Sequence, residues 1–501
     1  MCSEIKFRKE IVMLFEDIVN KTKIAIINKS GKGNPDVTDI CYDSRKVQPG
    51  ALYVSVPGIK LHGDSFIKDA LAKGAVAVIS ENAHPDLTVP CVQVKTVRSI
   101  LGKLGSVLWN VDVNDVTMVG ITGTNGKTTV AHLYQTLLAQ RFCSENVWMF
   151  GTIEFHIGKK TIPATHTTPE SLEIFKCIGK EGVPQALVME TSSHSLALDR
   201  VGGLAYDVGV WTNLTQDHLD FHKDMRSYYQ AKKKLFTEYI KKTGVSVVNI
   251  DDSWGKQLVS DLPGNKFITY GQDASADVKI ESWNCDWDGC AVTVKFKNVL
   301  ESYTSTLRGF FNIYNMSALI AGAHGLGMDH ETIQKAFSAV TTVAGRMDRV
   351  MIDAPFAVIV DYAHTSDALV NILSTSRPLT NGRLICVFGC GGDRDKTKRP
   401  IMGSVVSEYA DEAVVTSDNP RSERPVAIID QISAGIPLDF PHVAIPDRKS
   451  AIKYALSNAR AGDCVVIAGK GHEDYQEVNG VRHHFNDMEV VKELYLQLDK
   501  K

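Results

Sequence analysis

The sequence predicts a multidomain α/β protein built on mostly parallel sheets. The 501-residue chain is too long for one hydrophobic core, so several domains are expected. An apolar hexad at 116–121 (VTMVGI) runs directly into TGTNGKTT at 122–129 and then into a helical pattern. Strand-like apolar runs alternate with helical stretches over 116–270 and again over 346–468, the signature of doubly wound sheets covered on both faces. These breaks divide the chain into 1–115, 116–345 and 346–501.

In the first segment, residues 1–18 mix charged and apolar positions as an amphipathic helix does, and a soft polar linker follows to Pro35. A short strand at 49–58, a helix over 64–73, strands at 75–80 and 91–95 and a helix at 98–109 form a compact α/β unit. The Asp43-Ser44-Arg45 turn offers an acceptor, a hydroxyl and a fixed-charge fork, which suits a phosphate or a uracil-like edge as well as a solvated turn. In the second segment strands are expected at 116–121, 186–191, 207–212, 246–249 and 267–270, with helices near 128–140, 169–179 and 224–240. Residues 275–307 break the pattern with polar–apolar alternation and read as an antiparallel excursion; Cys285 and Cys290 fit a hairpin better than a metal site. In the third segment strands are expected at 357–360, 384–388, 413–416, 441–445 and 464–468. Helices fall near 366–376, 400–409, 422–434 and 448–459, and a charged amphipathic helix closes the chain over 483–500.

The formal net charge of -3 gives no electrostatic reason for a nucleic-acid partner. The ten cysteines are scattered, with no disulfide framework, no secretory leader and no apolar run long enough to span a bilayer. A cytoplasmic protein follows as an expectation, with no membrane insertion and a monomeric state.

The loop at 122–129 is where chemistry is most legible. Backbone N–H groups of a glycine-rich turn before a helix N-terminus point inward and, with Lys127 above them, suit the phosphates of a nucleotide. Gly123, Thr124, Asn125, Gly126, Lys127, Thr128 and Thr129 are the candidates, Thr128 by its hydroxyl for an accompanying magnesium. Ile121 stands where the strict pattern has a further glycine. Other polar clusters end strands, where open sheets bind ligands. Glu190 and Ser192 follow one strand; the carboxylate suits a metal and the hydroxyl a phosphate or carboxylate. Asp217 and His218 follow another, and His218 suits either a metal or the start of the next helix. Lys232 sits in the run 231–234 (AKKK), which by charge pattern alone is a solvated face.

The chain resembles the Mur ligases, ATP-dependent amide-forming enzymes that build the peptide stem of peptidoglycan. The likeness rests on TGTNGKTT (122–129), HTTPE (166–170), ETSSH (190–194), NLTQDHLDFH (213–222), FNIYN (311–315), Gly345-Arg346, VDYAHTSDAL (360–369), GCGGDRDKTKRP (389–400), TSDNPR (416–421) and GKGHEDYQ (469–476), in one order along the chain. The resemblance implies a small N-terminal domain binding the uridine diphosphate, a central P-loop ATP-binding domain and a C-terminal Rossmann-like domain binding an amino acid. It implies ligation of meso-2,6-diaminopimelate to the D-glutamate γ-carboxylate of UDP-N-acetylmuramoyl-L-alanyl-D-glutamate, with L-lysine as the alternative amino acid.

By the same resemblance Lys127 and Thr128 serve ATP and magnesium, Glu190 and His218 serve the metals, and Lys232 carries a carbon dioxide-derived carbamate that adds a metal ligand. Asn312, Asn315, Arg346 and Asp361 match positions around adenine, ribose and phosphates. Thr167, Thr168, Ser192 and Arg200 match those that grip the nucleotide-sugar substrate near its D-glutamyl end, and Ser44 lies where the uridine diphosphate binds. Arg399, Asn419, Pro420, Arg421, Gly469 and Glu473 match the site of the diamino acid, Arg421 for its distal carboxylate and Glu473 for its distal ammonium. The sequence departs from the family pattern at Thr191, at 49–52 (PGAL) and at Ser366.

Overall fold

The computed structural model describes residues 12–58, 61–164, 166–340 and 343–498. The chain groups into two compact units. The first comprises 1–122, 141–209 and 231–244; the second comprises 123–140, 210–230 and 245–501. Most of the amphipathic stretch expected at 1–18 lies outside the described residues; its end enters the helix Phe15–Thr22, which buries Phe15, Ile18 and Val19.

In the first unit a five-stranded sheet runs in the order Ile26–Ser30, Cys91–Val94, Ala77–Ser80, Ala51–Val54, Asp39–Cys41. Only Ile26–Ser30 is antiparallel to its neighbour. It lies inside the expected soft linker: its residues are largely exposed, so it lacks the apolar alternation that marks a strand. Helix Arg98–Leu108 lies against Ser171–Glu181 through Gly102 and Gly105; a Cβ on Gly102 would stand 2.2 Å from the Gly202 carbonyl oxygen. A second sheet takes Lys160–Pro163, Glu154–Ile157, Val147–Phe150, Ala186–Glu190, Thr117–Thr122 and then Tyr206–Trp211 in order. Thr117–Thr122 and Ala186–Glu190 are buried and parallel, as continuous apolar runs require.

In the second unit, the end of Ile240–Asn249 is followed in its sheet by Phe267–Gly271, Val278–Cys285, Cys290–Phe296 and Val299–Ser305. The last three form the expected antiparallel excursion, with Cys285 directly opposite Cys290. The expected hairpin is present, and its two cysteines form a disulfide, a pairing the sequence reading did not assign. The long helix Phe310–Gly325 is buried almost throughout, which conceals the period by which an amphipathic helix is recognised.

The C-terminal sheet has the order Asp348–Arg349, Ala357–Asp361, Cys464–Ala468, Leu384–Phe388, Glu412–Val415, His442–Ala444 and is parallel except at its first edge. One apolar core gathers Ile359, Cys386, Val415 and Val466; the opposite one gathers Val358, Val387, Val414 and Val465. Adjacent residues of each strand thus feed opposite faces, as the two-residue period dictates. Helices Ser366–Ser376, Lys398–Tyr409, Pro425–Ser433 and Arg448–Asn458 fall where the sequence indicates. The tail holds a hairpin, Tyr475–Val478 with Val481–His484, before helix Asp487–Leu498.

Candidate active site

The phosphate loop forms because strand Thr117–Thr122 ends in a turn that only glycine fits at two points. Gly123 and Gly126 have φ of 150° and 86°. A Cβ would meet Thr212 Oγ1 at 1.8 Å from Gly123 and Asn315 Oδ1 at 2.6 Å from Gly126. Helix Lys127–Arg141 starts at once, with Thr128 and Thr129 buried in its first turn. Lys127 Nζ donates to the carbonyls of Gly123 (3.0 Å) and Thr124 (2.8 Å), so its ammonium lies over the loop. Asn125 is fixed from several sides: its N–H donates to Asn213 Oδ1 at 2.9 Å, and its carbonyl accepts from Thr212 Oγ1 at 2.6 Å.

A cavity of about 300 Å³ opens beside this loop. Asn125, Gly126 and Thr129 line it with Asn315, Arg346 and Asp361. Asn315 Nδ2 donates to Asn312 Oδ1 at 2.7 Å, so Asn312 supports a lining residue from behind. Arg346 Nη2 donates to Thr128 Oγ1 at 3.2 Å, while its buried Nε has no hydrogen-bond partner. Asp361 accepts from the N–H groups of Met347 (2.6 Å) and Ala363 (2.8 Å). Burial pushes its carboxyl up, against the pull of Arg346. Donors at a helix N-terminus and an arginine with an unspent N–H, beside a loop that carries Lys127, make this cavity fit an anionic, nucleotide-sized ligand.

A second cavity of the same unit, about 240 Å³, gathers Asp217, His218, Arg394, Lys398, Asp418, Asn419, Arg421, Gly469 and Glu473. Asn419 Nδ2 donates to Glu473 Oε2 at 2.8 Å, and buried Lys470 donates to the same oxygen at 3.1 Å. Burial raises the Glu473 carboxyl despite Lys470. Arg421 adopts the left-handed region (φ 52°), and its Nη1 donates to the Gly392 carbonyl at 2.8 Å. Gly391 and Gly469 make room: a Cβ would fall 2.9 Å from Arg421 Nη1 and 2.5 Å from Asp418 Oδ2, respectively. Behind the cavity Arg448, fully buried against Asp487, donates to the carbonyls of Ser417 (3.5 Å) and Ala468 (3.0 Å), tying two strand ends together.

Burial would raise Asp217, but His218, His364 and Lys398 outweigh it and hold the carboxyl below its ordinary range. His218 Nε2 lies 3.4 Å from Asp217 Oδ2. His218 stands at the cap position of helix Leu219–His222 without a side-chain capping bond; Asp224 accepts from Ser227 N at the next helix instead.

Arg399 is absent from this cavity. Its guanidinium is fully buried, with both terminal nitrogens held in a two-point pair with Glu423 (3.0 and 2.9 Å) and a bond to Gln431 (2.8 Å), while its buried Nε has no hydrogen-bond partner. The arginine of this motif that lines the cavity is Arg394, five residues earlier. Sequence inspection missed it because GGDRDKTKR offers two arginines and only tertiary packing separates them. Pro420 lies between Asn419 and Arg421 in the loop. Tyr362, His364 and Lys398 also line the cavity, and their motifs were legible without these roles being assigned.

The remaining candidates belong to the first unit. Glu190 is buried and accepts from Thr152 N at 2.7 Å through Oε1 and from Thr152 Oγ1 at 3.0 Å through Oε2. Thr168 Oγ1 donates to the Glu190 carbonyl (2.7 Å) and accepts from Ser192 N (3.1 Å), which joins the 166–170 and 190–194 motifs. Thr167 adjoins through the Thr152 hydroxyl at 3.2 Å. Arg200 lies 3.5 Å from Glu170, and its buried Nε has no hydrogen-bond partner; burial pulls its proton affinity down. Ser44 is buried in the short helix Ser44–Lys46. The neighbouring Arg45 fork is spent on Asp43, with distances of 2.9 Å from both Nε and Nη2. Lys232 is buried, with 1% exposure. Among the described residues no three His, Cys, Asp or Glu side chains form a metal-binding group, and no helix is long and apolar enough to cross a membrane.

Comparison with known proteins places these features in a family. Three family models match in succession: the Mur ligase family catalytic domain over 36–106, the Mur ligase middle domain over 121–323 and the Mur ligase glutamate ligase domain over 345–471. A UDP-N-acetylmuramoyl-L-alanyl-D-glutamate–2,6-diaminopimelate ligase of Caldanaerobacter subterraneus subsp. tengcongensis is 43% identical over 478 residues, 94% of this chain and 97% of its own length. The enzyme of the same name from Gloeobacter violaceus is 45% identical, covering 91% of this chain and 94% of its own. A solved structure of that name has a TM-score of 0.64 at 31% identity, covering 92% of this chain and 95% of its own. The MurF ligase of Thermotoga maritima in complex with ADP shares the fold at a TM-score of 0.64 and 19% identity, covering 92% of this chain and 98% of its own. The chain has the three-domain α/β architecture of these enzymes and belongs to the Mur ligase family.

Proposed function

We propose that the protein is an ATP-dependent ligase that joins meso-2,6-diaminopimelate to the D-glutamate γ-carboxylate of UDP-N-acetylmuramoyl-L-alanyl-D-glutamate, a step of peptidoglycan precursor synthesis. The observation that carries this reading is the second cavity, where Arg394 and Arg421 share one wall system with Asp418 and Glu473. A ligand with two carboxylates and two ammonium groups matches both signs of charge. A planar guanidinium supplies paired, charge-assisted hydrogen bonds to a carboxylate that leaves water. Relatives so named, at 43 and 45% identity over nearly the whole chain, support the same substrate.

A carboxylate resists attack by an amine, so it is first activated: the γ-carboxylate oxygen takes the γ-phosphoryl group of ATP, ADP leaves, and an acyl phosphate forms. Lys127 and the loop N–H groups offset the negative charge of the transferring group. The cradle at 123–129 and the unspent Arg346 N–H fit the triphosphate, with Asn312, Asn315 and Asp361 toward the nucleoside. Thr128, Glu190, His218 and Lys232, the last as its carbamate, would hold magnesium, which would screen the repulsion between carboxylate and triphosphate. Thr167, Thr168, Ser192 and Arg200 hold the D-glutamyl end, and Ser44 the uridine diphosphate. The amine then attacks the acyl carbon, phosphate leaves with the bonding pair, and the amine proton passes to solvent. The domains are assigned as 1–115, 116–345 and 346–501, and the protein acts in the bacterial cytoplasm.

Competition decides the amino acid. Purified protein supplied with ATP, the nucleotide-sugar dipeptide and equal diaminopimelate and L-lysine is expected to give diaminopimelate product in excess, because lysine leaves the half-buried Arg421 fork without its carboxylate; discrimination by a missing polar partner reaches about 10⁴-fold. A product containing mainly lysine would falsify the assignment and favour the lysine-adding ligase.

A further inference from the structure

Three separated motifs converge on one oxygen. Asp367 Oδ2 accepts from Asn125 Nδ2 of the phosphate loop at 2.5 Å. It also accepts from Thr215 Oγ1 of the 213–222 motif at 3.2 Å and from Asn371 Nδ2, one turn along its own helix, at 3.3 Å. Asp367 itself comes from the C-terminal Rossmann-like segment, in the first turn of helix Ser366–Ser376.

A bland role exists for an acid there, since a carboxylate in the first turn complements the helix dipole. It does not account for the contacts. The helix is already capped by Thr365, whose Oγ1 accepts from Ala368 N at 3.2 Å. The Asp367 carboxylate turns instead to two loops that are laced to each other: Thr124 N donates to the Asn213 carbonyl at 2.9 Å, and Thr215 N donates to Thr124 Oγ1 at 3.0 Å. Asp367 fastens this pair of loops from a third element, and it lines the nucleotide-sized cavity beside them. Burial raises its carboxyl, while Thr215 and Asn125 pull the other way, so both bonds favour the ionised form.

Resting on the nucleotide reading of that cavity, we propose that Asp367 is a positioning residue for phosphoryl transfer. By holding the Asn125 carboxamide and the Thr215 hydroxyl it sets the shape of the phosphate loop. Nucleotide affinity and turnover therefore depend on a side chain of the C-terminal segment that forms no part of the loop.

The test compares Asp367→Ala, Asp367→Asn, Asn125→Ala and the double Asp367→Ala/Asn125→Ala by steady-state kinetics for each substrate in turn, with thermal melting alongside. Asp367→Ala is expected to lower kcat/KM for ATP about 10-fold or more, with KM for the nucleotide sugar and the diamino acid within about twofold. Asp367→Asn retains an oxygen that can accept from Asn125, so it should stay within about threefold of the parent. The double variant should be no worse than the poorer single, because both remove one interaction. Parent-like ATP kinetics in Asp367→Ala, multiplied losses in the double variant, or an equal loss toward all three substrates with a lowered Tm would each overturn the proposal. If Asp367→Ala does not fold, Thr215→Val, which removes the hydroxyl that Asp367 accepts from, replaces it: a loss confined to kcat/KM for ATP is expected, and parent-like ATP kinetics would overturn the proposal. An unaltered protein that fails to bind ATP overturns the nucleotide reading itself, which separates the two failures.

Discussion

Helix Met225–Thr237 carries three consecutive lysines, and only Lys232 is buried, while Lys233 and Lys234 keep part of their surface in water. An ammonium loses several kcal/mol of hydration on burial unless it is compensated. A neutral amine is the form that takes up carbon dioxide, and the carbamate returns a negative charge with two oxygen donors. The carbamate proposed for Lys232 would place its charge at this buried position, which the charge run alone does not mark. Lys232→Ala is expected to lower ligation about 100-fold. Added acetate should restore part of the rate by occupying the vacated volume with a carboxylate. Turnover assayed with and without acetate checks this; a fully active alanine variant, or one indifferent to acetate, contradicts the role.

At the scale of elements, the loops around the Arg394–Arg421 cavity are braced by an ion pair between a helix and a loop of the C-terminal segment. Arg399 in helix Lys398–Tyr409 grips Glu423 just before helix Pro425–Ser433, and the Arg399 hydrogen bonds hold the Glu423 carboxyl down at about 2, against an ordinary value of 4.5. A depressed carboxylate stabilises the fold fully above its unfolded value and loses that contribution as pH falls toward the folded value. The pair therefore adds stability above about pH 4.5 that disappears progressively toward about pH 2. Arg399→Ala should destabilise by roughly 3 kcal/mol, because it leaves a carboxylate without its buried partner. Glu423→Gln should flatten the fall of Tm through the same acid window. Melting curves across that range test both, and unchanged acid sensitivity in Glu423→Gln would remove the pair from the account.

This same pair marks where sequence reading stops. Glycines, strand ends and helix starts were legible because they obey local rules: Gly123 and Gly126 sit where a Cβ has no space, and the apolar runs at 358–360 and 384–388 fill both faces of a parallel sheet. Arg399 and Arg394 are five residues apart and chemically identical, so which one is spent on Glu423 depends on packing across helices. Burial of Lys232 was hidden for the same reason. Strand Ile26–Ser30 was missed because its pairing with Cys91–Val94 is made by backbone, not by an apolar face.

At the scale of the whole molecule, the two cavities of the second unit share no lining residue. Their separation follows from one strand end. Ala357–Asp361 ends with Asp361 in the first cavity, and Tyr362, the first residue past the strand, lines the second. On the proposed assignment of the cavities, activation and amide formation should separate experimentally. With ATP and the nucleotide sugar but no diamino acid, a rapid-quench measurement should show ADP formed in the first turnover. In Arg421→Ala that first-turnover ADP should stay within about twofold of the parent, because the lost fork lies outside the nucleotide cavity. Ligation of diaminopimelate by the same variant should fall about 100-fold, since a desolvated carboxylate loses its partner. L-lysine, which has no distal carboxylate, should lose far less, so the ratio between the two amino acids should collapse. Equal loss of ADP formation and of ligation would mean that the two half-reactions are not built on separate cavities.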